Sequence, residues 1–460
     1  MITPLLDEKK AMPEFLLLGS ILGYKKPLVP LPLPSEKFSK HSAILAQSGS
    51  GKSFFLGRLI EELLLKTECR VLILDPNSDF VRIQDVAKGA WDDEVLKPWF
   101  MPEDTLVRFE QAWNEIRKLT LTNRDLGEAA MPLYVLWSSL DEQEATTLLQ
   151  IDPQYDAGQY WFLITALAIA NRINPSGFTF FDFETVAQKL AIFKQKGDLL
   201  DPSWEGMEPF SRFKSLTTLE DTGVFITKLY VLSSWGIWGT KEEPVQESGD
   251  SMLSGSTDLR SQLSSNFFGD TEEYRLVTVD LQSLESWRER QLVTALVLDS
   301  SWNWARRSQA ARLEDPTGPY EEQRKPVFIV IDEAHYLVPA SPREVDPVHE
   351  QIVRIAAEGR KYDLFLIVVT QSPRKIDSNV LSQCENVFIL KSSSEADLQN
   401  ITDTLGYPPV EIAKLSMDFS IGDAVLAGPI VKHPLLLHAF PRRTQQGGKG
   451  LSDDWAVRRK

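Results

Sequence analysis

Cysteine is nearly absent from the 460 residues: there are two, Cys69 and Cys384, far apart and outside any C-x-x-C spacing. That excludes a disulfide scaffold and a thiolate zinc site, and it fits a reducing compartment. Positive charge is also in deficit. With 49 Lys and Arg against 65 Asp and Glu, the formal net charge is -16. A surface uniformly coated for nucleic acid is therefore excluded, and any DNA contact has to be local, as in a basic channel inside an assembly. Long apolar runs are missing as well. The stretch around "WFLITALAIA" (161–170) is too short to span a bilayer, and the opening "MITPLLDEKK" lacks the basic-then-apolar order of a signal peptide. These absences lead to the expectation of a cytoplasmic protein with no anchor and no export.

What is present suffices for one large core with an insertion, or for two or three domains, since 43% of residues are hydrophobic. Residues 1–40 end in "KPLVPLPLPSEKFSK", whose prolines remove donors and stiffen the chain, so they read as an extended arm. "SAILAQ" (42–47) is a buried strand, Lys52 to Lys66 carries apolar residues at helical spacing, and "VLILD" (71–75) is a second strand, together a β-α-β unit. From 84 to 271 the pattern changes to helical segments broken by prolines, an inserted helical subdomain with a mobile polar loop near 239–261. Strands then resume at "RLVTVD" (275–280), "VFIVID" (327–332) and "LFLIVVTQ" (364–371), alternating with helices, and "NVFILK", "DAVLAG" and "HPLLLHAF" follow. This alternation predicts an α/β core of 41–83 and 272–442 with a mostly parallel sheet covered on both faces, and a polar tail at 443–460.

The chemistry concentrates at a few strand ends. Residues 46–53 spell A-x-x-x-x-G-K-S, the Walker A pattern with Ala46 where the first glycine more often stands. The backbone of Gln47, Ser48, Gly49, Ser50 and Gly51 can turn its N–H groups around the phosphates of ATP, Lys52 neutralises β and γ charge, and the Ser53 hydroxyl can ligate Mg²⁺. "VFIVIDEAH" ends a buried strand in Asp332 and Glu333. One carboxylate of such a pair holds the magnesium water shell while its neighbour orients or deprotonates the attacking water. An acidic cap is the alternative for that pair, and His335 reads as structural or coupling. "LILDPNSDF" sets Asp75 and Asp79 at the rim beside the loop, either as ligand groups or as turn formers. Thr370 and Gln371 end another strand where they could sense a γ-phosphate or simply close a turn. Arg360 and Lys361 sit at a helix end, which favours cations by its dipole alone and also suits an arginine finger.

Taken in order, "HSAILAQSGSGKS", "VLILDPNSDF", "LVTVDLQSLESWRERQLVTALVLDSSW", "VFIVIDEAHYLVP" and "IAAEGRKYDLFLIVVTQSPRKIDSNVLSQCENVFILK" resemble the HerA branch of the HerA/FtsK superfamily. That resemblance implies a RecA-like P-loop NTPase working as a homo-hexameric ring that pumps or unwinds double-stranded DNA. It further implies that Asp75 belongs to the catalytic centre, that Arg360 is a finger acting on a neighbour's nucleotide, and that Gln371 is the sensor. Two departures stand out. Some forty residues precede the phosphate loop where the family's archaeal helicases carry a β-barrel, and Asp79 stands where the family often shows Glu. Three functions follow: a DNA translocase or helicase, an ATPase ring that scaffolds and gates an effector such as a nuclease or NAD-consuming partner in bacterial defence, and a secretion or conjugation coupling ATPase. For DNA, Arg374 and Lys375 in "SPRKIDSN" are the candidate contacts, with a solvated surface loop as the plain alternative.

Overall fold

A strand buried on both faces reads as a near-continuous apolar run, and the runs singled out above become strands of one sheet. The computed structural model describes residues 15–23, 29–87, 105–126, 130–197, 202–238, 258–269, 274–315, 325–342 and 346–447. In chain order the strands are β1 (Phe15–Ile21), β2 (Pro30–Pro34), β3 (Ser42–Leu45), β4 (Arg70–Asp75), β5 (Lys118–Leu121), β6 (Ala130–Met131), β7 (Leu276–Asp280), β8 (Val327–Ile331), β9 (Leu364–Thr370), β10 (Asn386–Ile389), β11 (Asp423–Ala427) and β12 (Leu435–Ala439). They form a single sheet in the order β2-β1-β12-β11-β10-β3-β9-β8-β4-β7-β5-β6. From β10 to β6 all neighbours are parallel, whereas β10, β11, β12, β1 and β2 pair antiparallel. This is the RecA-like α/β arrangement, with β3 and β8 separated by β9 alone.

Alternate side chains of each central strand enter opposite cores. Phe328 and Val330 of β8 meet Phe55, Leu59 and Leu63 of the helix Lys52–Lys66 on one face. Val327, Ile329 and Ile331 face the helices Trp287–Glu314 and Pro347–Glu358 on the other. That second core runs on without a break into Trp137, Phe162, Phe180 and Phe225, so the helices between 142 and 233 share it with the sheet. Their starts are written locally: Asp141 with Glu144, Thr179 with Asp182 and Thr218 with Asp221 each form a capping box.

The proline-rich N-terminal stretch is extended and joins the sheet. β2 reads "PLPLP" and is the outermost strand, where missing N–H donors cost no ladder bond. β5 and β6 extend the parallel side from within residues 84–271. Residues 1–14 of the arm, 239–257 of the polar loop and 448–460 of the tail lie outside the described residues. Residues 440–447 lie along the helix Lys52–Lys66, where Glu61 Oε1 accepts from the backbone N–H of Arg443 at 2.8 Å and of Thr444 at 2.7 Å. Among the described residues no helix is long and apolar enough to cross a membrane.

Candidate active site

Parallel strands expose their carboxyl ends on one rim, and β3, β9 and β8 are neighbours there. The loop after β3 turns through left-handed backbone at Gly49 (φ 74°) and Gly51 (φ 89°), conformations that glycine adopts without strain. The helix begins at Lys52, so its first N–H groups, which have no partner within the helix, open onto the loop. Gln47, Ser48 and Gly49 are exposed while Ser50 and Lys52 are buried.

Lys52 joins the two motifs. Its Nζ lies 2.6 Å from Asp332 Oδ1 and 2.5 Å from Glu333 Oε1. Burial alone lowers the lysine's affinity for its proton, but the two carboxylates outweigh that and hold it above the ordinary value. Asp332 is fully buried, and desolvation raises its pKa despite the ammonium beside it. Glu333 sits in the left-handed region (φ 47°, ψ 46°), a strained state for a non-glycine residue that turns its carboxylate toward the loop. Gln371 Nε2 donates to Glu333 Oε1. His335 Nδ1 lies 3.4 Å from Glu333 Oε2 and 3.2 Å from Thr370 Oγ1. Burial, with Lys375 and Lys52 nearby, lowers the His335 pKa against the pull of Glu333, which favours a neutral ring at that contact.

The turn after β4 divides its two aspartates. Asp75 is fully buried and accepts backbone N–H bonds from Asn77 (3.2 Å), Asp79 (3.1 Å) and Phe80 (2.8 Å), so its carboxylate shapes the turn. Burial pushes its pKa up to about 7 even against those donors, with Asp332, Asp79 and Asp280 adding repulsion. Asp79, which the turn positions, accepts from Ser53 Oγ at 2.6 Å. Gln446 Nε2 donates to the other Asp79 oxygen at 3.1 Å. Sequence reasoning missed Gln446, and no local pattern marks it, because 367 residues separate it from Asp79.

The remaining candidates lie apart. Arg360 is at the opposite, amino-terminal end of β9, ion-paired with Glu385, which also holds Lys40 at 3.1 Å. Arg374 Nε donates to Asp397 Oδ1 at 2.5 Å, and Lys375 beside it is exposed. The oxygen donors fit a hard dication. Asp332 Oδ2 is buried with no hydrogen-bond partner among the described residues, and the Ser53 hydroxyl stands next to a carboxylate. Among the described residues no cluster of three His, Cys, Asp or Glu could hold a metal by itself, so Mg²⁺ here would need phosphate oxygens to complete its shell.

The family model of the helicase HerA central domain matches residues 16–222. The chain is 31% identical over 128 residues to a probable helicase of Methanocaldococcus jannaschii, covering 28% of this chain and 25% of that protein. It is 27% identical over 221 residues to the DNA double-strand break repair helicase HerA of Sulfolobus acidocaldarius, covering 47% and 43%. It thus spans between a quarter and under half of the length of these relatives. Among solved structures, VirB4 of Thermoanaerobacter pseudethanolicus is 16% identical, with a TM-score of 0.47 over 93% of this chain and 97% of that one. With Walker A and Walker B joined through Lys52 on a RecA-like sheet and the HerA central-domain model matched over residues 16–222, the chain is similar to the HerA-like P-loop ATPases.

Proposed function

We propose that the chain binds ATP with Mg²⁺ between the phosphate loop and the ends of β8 and β9, hydrolyses it, and uses the cycle to move along or unwind double-stranded DNA as a homo-hexameric ring. The observation that carries the hydrolytic reading is the convergence of Lys52, Asp332, Glu333 and Gln371 at adjacent strand ends. An arriving nucleotide gives Lys52 phosphate oxygens in exchange for its two carboxylates. Glu333, released from the ammonium but still held by Gln371, is then placed to orient and deprotonate a water. Ser53 and Asp332 would hold Mg²⁺, which draws off the charge that develops on the phosphates. Asp79, positioned by Asp75 and Gln446, keeps the Ser53 hydroxyl oriented.

The DNA part of the reading draws support from the helicase names of the relatives. A second reading, a ring that gates a partner effector, is favoured by the net charge of -16 and by the ion pair that ties Arg374 to Asp397. Phosphate release measured with and without duplex DNA separates them. A DNA motor speeds up with duplex, and its DNA affinity falls steeply with salt. Replacing Arg374 and Lys375 together by Ala should flatten the salt slope and remove stimulation while basal hydrolysis persists. A rate indifferent to duplex at every salt concentration overturns the motor reading and leaves partner gating.

A further inference from the structure

Past the phosphate loop, on the side away from β9, the segment 420–422 leads into β11 and lies against the loop. A Cβ built on Gly51 would stand 3.0 Å from Ile421 Cγ2 and 3.6 Å from the Gly422 nitrogen, and one built on Gly422 would stand 3.4 Å from His438 Cε1. His438 faces Asp423 across the β11–β12 ladder, with Nδ1 2.7 Å from Asp423 Oδ1. Asp423 Oδ2 is taken by the Ser420 N–H at 2.9 Å. The aspartate is buried and the histidine half exposed. A carboxylate only accepts, so the shared proton sits on Nδ1, and in the neutral ring Nε2 is left as an acceptor. Two large apolar side chains stand uncovered nearby in the chain: Ile421 at 67% exposure and Phe54, next to Ser53, at 52%.

Lys52, drawn toward β8 and β9, fixes where the γ end of a bound nucleotide goes. The sugar and base then have to leave across Gly51, toward Ile421 and His438. Resting on the ATP-site reading above, we propose that Ile421 gives the base an apolar seat and that His438 selects adenine, its Nε2 accepting from the exocyclic amine. Asp423 is the positioning residue that fixes the tautomer.

The test is equilibrium binding to the full chain of ATP, of purine riboside triphosphate, which lacks only the amine, and of inorganic tripolyphosphate. Wild type should prefer ATP over the amine-free analogue by about threefold to tenfold, the weight of one hydrogen bond. His438→Ala should bring that ratio to about one with tripolyphosphate binding unchanged. Asp423→Asn should abolish the preference although His438 remains. The Asn oxygen keeps the Ser420 N–H, and its amide donates to Nδ1, which moves the ring proton to Nε2. Ile421→Ala should weaken both nucleosides' triphosphates by roughly tenfold and spare tripolyphosphate. A wild type that binds ATP and the amine-free analogue equally, or a His438→Ala protein that keeps the preference, overturns the assignment. A wild type that binds neither tripolyphosphate nor ATP is a different result and overturns the ATP site itself.

Discussion

Lys52 neutralises two buried carboxylates at once, so replacing it changes two things. Lys52→Ala should abolish ATP binding, because the loop loses the cation that meets the β and γ phosphates. It should also destabilise the nucleotide-free protein by about 3–5 kcal/mol at neutral pH, because Asp332 and Glu333 are left buried without a counter-charge. Glu333→Gln keeps Lys52 paired with Asp332. It should bind ATP and slow turnover by about a hundredfold or more, since an amide cannot take a proton. Titration with a fluorescent nucleotide beside phosphate release checks both, and equal loss of ATP affinity in the two variants would show the roles to be misassigned. Asp75 makes a separate prediction. Its folded pKa, about 7, lies above the ordinary 3.8, so the folded state holds its proton more tightly than the unfolded chain does. Stability from this group is present below pH 4 and is lost as pH rises through about 7, by up to about 4 kcal/mol. Melting of the nucleotide-free protein between pH 5 and pH 8 should show that decline, and a flat profile would place Asp75 in a wetter setting.

At the scale of elements, the shared core ties the helices between 142 and 233 to the sheet. Trp137 is fully buried, with ring centroids 4.7 Å from Phe183, 5.3 Å from Phe180 and 5.4 Å from Trp238. Trp137→Ala should cost about 3–5 kcal/mol. Because one cluster joins these rings to Leu45, Leu74 and Val368, the loss should appear as a lower midpoint of a single transition in which ATP binding and helical signal disappear together. Two separated transitions would contradict the shared core. The same cooperativity explains what the sequence disclosed. β3, β4 and β7 to β11 were legible because strands buried on both faces are near-continuous apolar runs, and β12, only partly buried, by its run of three leucines. β2 was not, since its prolines speak against a strand unless its place at the sheet edge is known. β5 was hidden because "KLTL" is short and its partner β7 lies far along the chain. The phosphate loop and the Asp332–Glu333 pair were legible as local patterns. The hold of Gln446 on Asp79 joins segments 367 residues apart, which no window of sequence contains, and that of Glu385 on Arg360 reaches back across the whole of β9 with no local spacing to mark it.

For the whole molecule, the decisive residue is Arg360. It precedes β9 and the phosphate loop follows β3, so the seven residues of β9 separate them. At about 3.3 Å per residue that is roughly 20 Å, well beyond the reach of an arginine side chain. Arg360 therefore serves another subunit's nucleotide or none. Its pairing with Glu385 is no obstacle, because both side chains are about a third exposed and an exposed pair is worth about 0–1 kcal/mol. A ring in which Arg360 completes the neighbouring site makes a specific demand. Arg360→Ala and Glu333→Gln proteins should each be nearly inactive alone, yet regain hydrolysis when mixed. In a mixed ring, an interface with an intact finger from one subunit and an intact carboxylate from the other is a whole site. Native mass measurement establishes that mixed rings form, and phosphate release across mixing ratios reads the outcome, with a maximum at intermediate composition. Mixed rings whose rate never exceeds that of the two pure variants would remove Arg360 from the reaction and leave it as the helix-end cation that pairs with Glu385.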